Sequence, residues 1–104
     1  MKVLTIQSVD KLSPENQRVV NSVLRMEYQS DYIFKDENHS QYSATISLEN
    51  PTETINTIIS NSAQLPEYTL IVNILDADAG EIEQLTIRNG TVEHKKSGSW
   101  EWSI

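Results

Sequence analysis

Cysteine is absent from this chain of 104 residues, which rules out a disulfide scaffold, a zinc ribbon and every thiolate nucleophile. Glycine is scarce, with three in all, and neither GxGxxG nor GxxxxGKS/T occurs, so no loop of the known phosphate-cradling kinds is encoded. Long apolar runs are missing too. The longest, Leu70-Ile71-Val72-Asn73-Ile74-Leu75, falls far short of the roughly 20 residues of a membrane-crossing helix. Nor does Met1 to Ser8 carry an apolar stretch of signal-peptide length or a small-residue cleavage site. These absences lead us to expect a soluble, cytoplasmic protein with no membrane association.

Catalytic and metal-binding patterns are equally thin. The two histidines, His39 and His94, lie far apart without a neighbouring ligand pattern, and two surface histidines is the simpler reading. Asp76-Ala77-Asp78-Ala79-Gly80 alternates carboxylates as a calcium loop does, but counting from Asp76 the sixth and twelfth places hold Glu81 and Ile87 instead of glycine and glutamate. An acidic hairpin turn fits better. The serines are numerous, yet none sits in a nucleophile elbow. We therefore expect no catalytic residue, no metal and no cofactor.

What is present is a sequence of short amphipathic elements, compact enough for a single domain spanning 1–104. Val3, Leu4, Ile6 and Val9 are strand-prone. Ser13-Pro14 supplies an N-cap followed by proline at the first helical position, and Val19, Val20, Val23, Leu24 and Tyr28 recur at helical spacing over about four turns. Asp31 to Lys35 alternates like a strand, and 36–41 is a polar loop. Tyr42, Ala44, Ile46 and Leu48 alternate with polar residues, predicting a half-buried strand. Asn50-Pro51-Thr52-Glu53 then predicts a capping box, and Ile55, Ile58, Ile59 and Ala63 line the second helix until Pro66 stops it.

From Tyr68 the period becomes two. Strands are expected at 68–75, 81–88, 91–95 and 100–104, joined by turns at Asp76 to Gly80, at Asn89-Gly90 and at Lys96-Ser97-Gly98-Ser99. The apolar phase slips between Ile82 and Leu85, which a bulge near Glu83 and Gln84 would absorb. Tyr28, Tyr32, Phe34, Tyr42 and Tyr68 are assigned to the core and its rim. The result is an α+β domain with two helices packed on one face of a mostly antiparallel sheet. Its element order resembles the ferredoxin-like βαββαβ arrangement over residues 2 to 75, extended by C-terminal β-hairpins. A different helix placement on the same strands is the alternative.

Charge is the informative property. Within 31–83 there are ten acids, Asp31, Asp36, Glu37, Glu49, Glu53, Glu67, Asp76, Asp78, Glu81 and Glu83, against the single base Lys35, in a chain whose total is −7. Such a segment repels nucleic acid phosphates and steers a basic protein inward, although solvated acids that merely keep a small protein dispersed are the competing explanation. At the C-terminus Trp100, Trp102 and Ile104 share one strand face, which either closes the core or anchors a partner.

In size, acidity, lack of a catalytic motif, the stretches Asp31 to Glu37 and Asp76 to Glu83 and a sheet-rich C-terminus, the chain resembles the small acidic immunity proteins of bacterial toxin systems, including contact-dependent growth inhibition. The resemblance implies a non-catalytic inhibitor that masks a basic partner such as a nuclease toxin, without binding nucleic acid itself. Its partner-binding residues would be Asp31, Asp36, Glu37, Asp76, Asp78, Glu81, Glu83, Trp100 and Trp102. Three alternatives stay open: an inhibitor that imitates DNA by its carboxylate spacing, a small ligand-binding or enzymatic ferredoxin-like domain, and a homodimeric structural or regulatory domain.

Overall fold

A computed structural model describes residues 1–25, 32–33 and 41–99. Its strands are β1 (Lys2–Ser8), β2 (Tyr32–Ile33), β3 (Ser43–Leu48), β4 (Thr69–Asp76), β5 (Glu81–Arg88) and β6 (Thr91–Ser99). The helices are α1 (Pro14–Val23) and α2 (Thr52–Asn61), the second running into a 3-10 turn at Ser62–Gln64. All the strands join one antiparallel sheet in the order β2-β3-β1-β4-β5-β6. An α+β fold with two helices and an antiparallel sheet is thus observed.

The register explains which residues are buried. Leu4 faces Ile46 on one side and Ile74 on the other, and Ile6 faces Ala44 and Val72 in the same way. Leu70 and Val72 in turn face Ile87 and Leu85. Because cross-strand partners share a face, these residues form a single apolar sheet surface. Val20 of α1, Leu24 at its C-cap, Ile58 of α2 and Leu65 beyond it complete one core with that surface. The opposite face carries Val3, Thr5, Gln7, Ile71, Asn73, Leu75, Ile82, Gln84 and Thr86, all outside the core cluster.

Both helix starts follow from local chemistry. The Ser13 hydroxyl accepts the Asn16 amide at 3.2 Å with Pro14 at the first position, as its sequence predicts. The expected capping box at Asn50 takes a different form. Asn50 accepts the Thr52 amide at 3.2 Å, one residue outside the helix, and Pro51 occupies the cap with no side-chain bond. Helix α1 is shorter than its apolar spacing suggests: Arg25 adopts φ 59°, which ends the helical path after Leu24. Val19 is another correction, being 47% exposed while its neighbour Val20 is fully buried. One step along a helix turns a side chain by about 100°, and here that step carries Val19 out of the core that Val20 enters.

Two further expectations are revised in the C-terminal third. The stretch Lys96-Ser97-Gly98-Ser99 is not a turn but the end of β6, opposite Gln84, Glu83, Ile82 and Glu81. Eight residues of β5 offer a full ladder, and that pairing overrides local turn preference. No bulge interrupts β5 against β4, whose register runs unbroken from Asp76↔Glu81 to Thr69↔Arg88. Ile82 simply lies on the other face, opposite Leu75. The irregularity is on β6, across from Thr86 and Ile87, where Glu93 is the extra residue between His94 and Val92. Asn89 (φ 49°) and Gly90 (φ 80°) make the tight hairpin expected of Asn-Gly.

Tyr42 is buried and Tyr68 packs half-buried against the core. Tyr28 and Phe34 lie outside the described residues, as do most of the loop 36–41 and the expected strand 100–104.

Candidate functional site

Strands β3 and β4 both run antiparallel to β1, so both end beside Lys2, which faces Leu48 on one side and Asp76 on the other. That register delivers acids from distant parts of the chain to one end of the sheet. Asp76 closes β4, Asp78 lies in the turn, Glu81 opens β5, Glu49 follows β3, and Glu53 stands in the first turn of α2. At this end Asp76 and Glu81 are directly opposed cross-strand partners. Two like charges so placed repel one another, a modest cost to the fold that a complementary cation relieves.

The turn is built to hold these groups outward. The Asp76 carboxylate accepts the Ala79 amide at 3.2 Å and Gly80 supplies a positive φ of 66°, which together fold five residues into a rigid link. The side chain of Asp78 is 87% exposed, 3.5 Å from the amino group of Met1. Glu83 differs from its neighbours. It lies two residues further along β5, on the helix side of the sheet, and pairs with Lys95 at 3.1 Å. Glu67 precedes β4 at the far end of the sheet and does not belong to this group.

Of the residues singled out from sequence, Asp76, Asp78 and Glu81 are thus brought together, and Glu83 stands near them with its charge paired. Asp31, Asp36, Glu37, Trp100 and Trp102 lie outside the described residues. Glu49 and Glu53 are the additions that sequence reasoning did not place in the site. Glu49 reaches this end of the sheet because β1 pairs with both β3 and β4, a long-range relationship with no local signal, whereas Glu53 lines a groove beside Arg25.

Among the described residues no group of three or more His, Cys, Asp or Glu side chains is arranged to hold a metal ion. His94 stands exposed on β6, opposite Thr86. An open groove of about 590 Å³ runs between Arg25 and the outward face of α2. Its lining residues, from Asn50 and Glu53 to Thr57 and Asn61, are all polar or charged, without the aliphatic and aromatic side chains that dominate small-molecule pockets. Asn61 crosses beneath it to donate to the Val23 carbonyl at 2.9 Å, tying the two helices together.

Among the described residues, one titrating group is perturbed by its place in the core. Tyr42 is almost fully buried, its hydroxyl donates to Asn21 Oδ1 at 2.9 Å, and burial holds its ionisation well above the ordinary phenol range. No described helix is long and apolar enough to cross a membrane. Compared with protein-family models, with known curated proteins and with solved structures, the chain matches none.

Proposed function

We propose that this protein is a non-catalytic binding module that docks a basic protein on its acidic sheet end, in the manner of a toxin-neutralising immunity protein. The observation that carries the reading is the gathering of Asp76, Asp78 and Glu81 at the β4–β5 turn, with Asp76 and Glu81 opposed and Glu49 following β3 at the same end of the sheet. Lys2 opposite Asp76 and the Met1 amino group beside Asp78 offset part of this charge, and the carboxylates in excess gain by meeting lysine or arginine and accelerate encounter with a cationic partner. A nuclease whose basic cleft binds phosphates is the kind of partner that such a surface would occlude. The order β2-β3-β1-β4, with each β-α-β unit bracketing a strand of the other, supports a ferredoxin-like core to which β5 and β6 are added at one edge.

The test is affinity capture from the native host with elution by a salt gradient, followed by association kinetics with the recovered protein. The expected partner is basic, its on-rate falls steeply with ionic strength, and Asp76→Asn, Asp78→Asn and Glu81→Gln together slow association at least tenfold with little change in melting. An on-rate indifferent to both salt and these substitutions sinks the reading.

A further inference from the structure

Asn-Gly occurs once in the chain, at Asn89-Gly90, and these two residues link β5 to β6. Asn89 is exposed and Gly90 half-buried. Asparagine is chemically labile, and most so before glycine, which has no Cβ to shield its own nitrogen from the neighbouring side-chain amide. Here that nitrogen is restrained. Its N–H donates to the Ser62 hydroxyl at 2.8 Å, and the buried Ser62 gives its own proton to the Ile59 carbonyl at 2.6 Å. The turn is held from two further sides. The Thr91 hydroxyl donates to the Arg88 carbonyl at 2.9 Å, and Ala63 packs so closely against Gly90 that an added Cβ would stand 3.3 Å from the Ala63 Cβ.

We propose that Asn89 is a site of spontaneous deamidation whose reaction Ser62 holds in check. In the reacting step the Gly90 nitrogen gives its proton to a solvent base and bonds to the Asn89 side-chain carbonyl carbon. The bond from that carbon to the amide nitrogen breaks, and with a returned proton the nitrogen leaves as ammonia. A five-membered succinimide remains. Water then opens either of its carbonyls, leaving aspartate or isoaspartate at position 89. Ring closure needs the Gly90 N–H to leave Ser62, both to be deprotonated and to turn toward Asn89. Leaving strands the Ser62 oxygen in a buried place, and that penalty falls on the reaction barrier. Isoaspartate adds a methylene to the main chain, so a two-residue link can no longer bring Arg88 opposite Thr91. The site lies at the opposite end of β5 from the acidic turn, and the inference stands apart from any partner bound there.

The test incubates the full chain in mildly alkaline buffer, folded or unfolded in urea, and follows acid and isoaspartate at position 89 by peptide mapping. The unfolded chain is expected to react there ahead of its other asparagines, and the folded parent at least about fivefold more slowly. Ser62→Ala with native circular dichroism is expected to react at least about fivefold faster than the folded parent. Val20→Ala, which weakens the core without altering a bond to the turn, is expected to keep the parent rate. An unfolded chain inert at position 89, or a folded parent as fast as the unfolded chain, overturns the proposal. So does a folded Ser62→Ala no faster than the parent, or a Val20→Ala accelerated equally, since global unfolding would then govern the reaction. Should Ser62→Ala fail to fold, hydrogen exchange at the Gly90 amide of the parent reads the same bond. Exchange at least about fivefold slower than in the unfolded chain is expected, and exchange at the unfolded rate overturns the proposal as well.

Discussion

The Ser62 hydroxyl accepts the Gly90 amide at 2.8 Å and donates to the Ile59 carbonyl at 2.6 Å. A buried side chain at the end of α2 thereby fastens the tip of the β5–β6 hairpin to the helical layer. Removing that oxygen strands an amide within a partly buried contact. Ser62→Ala is expected to cost about 1–3 kcal/mol, read as a lower denaturant midpoint with an unchanged slope.

The same junction constrains Gly90 from another side. Its φ of 80° is one that other L-residues adopt only with strain, and a Cβ there would stand 3.3 Å from the Ala63 Cβ. Gly90→Ala is expected to destabilise by at least about 1 kcal/mol, with Asn89-Gly90 no longer able to close the turn cleanly. Equilibrium unfolding of the variant beside the parent measures the loss.

Adjacent valines in α1 give a paired prediction. Val20 is fully buried and Val19 is 47% exposed. Val20→Ala is expected to cost about 2 kcal/mol through lost transfer energy and a residual cavity, whereas Val19→Ala stays within about 0.5 kcal/mol of the parent. Thermal melts of the two variants decide it, and equal losses would contradict the orientation of α1.

How much of this was legible beforehand depends on the range of the interaction. Ser13-Pro14, Asn89-Gly90 and the alternation from Tyr42 to Leu48 act within a few residues, and each yields the element that its local chemistry predicts. Val19 and Ile82 depart from expectation because several faces satisfy a short apolar pattern, and only the packing partner selects one. Lys96 to Ser99 reads as a turn until β5 is there to pair with it. The acidic end was half legible. Asp76, Asp78 and Glu81 are neighbours in sequence, but Glu49 joins them solely through the β3-β1-β4 order.

Ionisation of Tyr42 couples to unfolding. Its phenol is raised in the folded state by burial, so folded and unfolded forms hold the proton equally below about pH 10. Above that the unfolded chain releases it first, and stability falls as pH rises toward the folded-state value. Denaturant melts across this alkaline range are expected to show a decline that is shallower in Tyr42→Phe. The substitution itself costs about 1 kcal/mol at neutral pH through the lost bond to Asn21.

Glu83 and Asp78 separate by the company they keep. Lys95 and Glu83 form an exposed pair, with side chains 61% and 37% accessible, worth under about 1 kcal/mol and weakened by salt. Lys95 stands closer to Glu83 than the Met1 amino group, at 3.5 Å, stands to the 87% exposed Asp78, so Glu83→Gln is expected to slow association with a basic partner less than Asp78→Asn does. Stopped-flow measurement at low ionic strength ranks the two.

The sheet ends on β6 with a long rim, and that rim is defended against polymerisation. The extra residue at Glu93 kinks the backbone where an incoming strand needs a straight run of donors and acceptors, and Lys95 and Lys96 follow within the same stretch. A foreign strand laid along it would meet a broken ladder and ammonium groups together. Fibril growth by edge-to-edge addition is therefore disfavoured along this flank of the sheet.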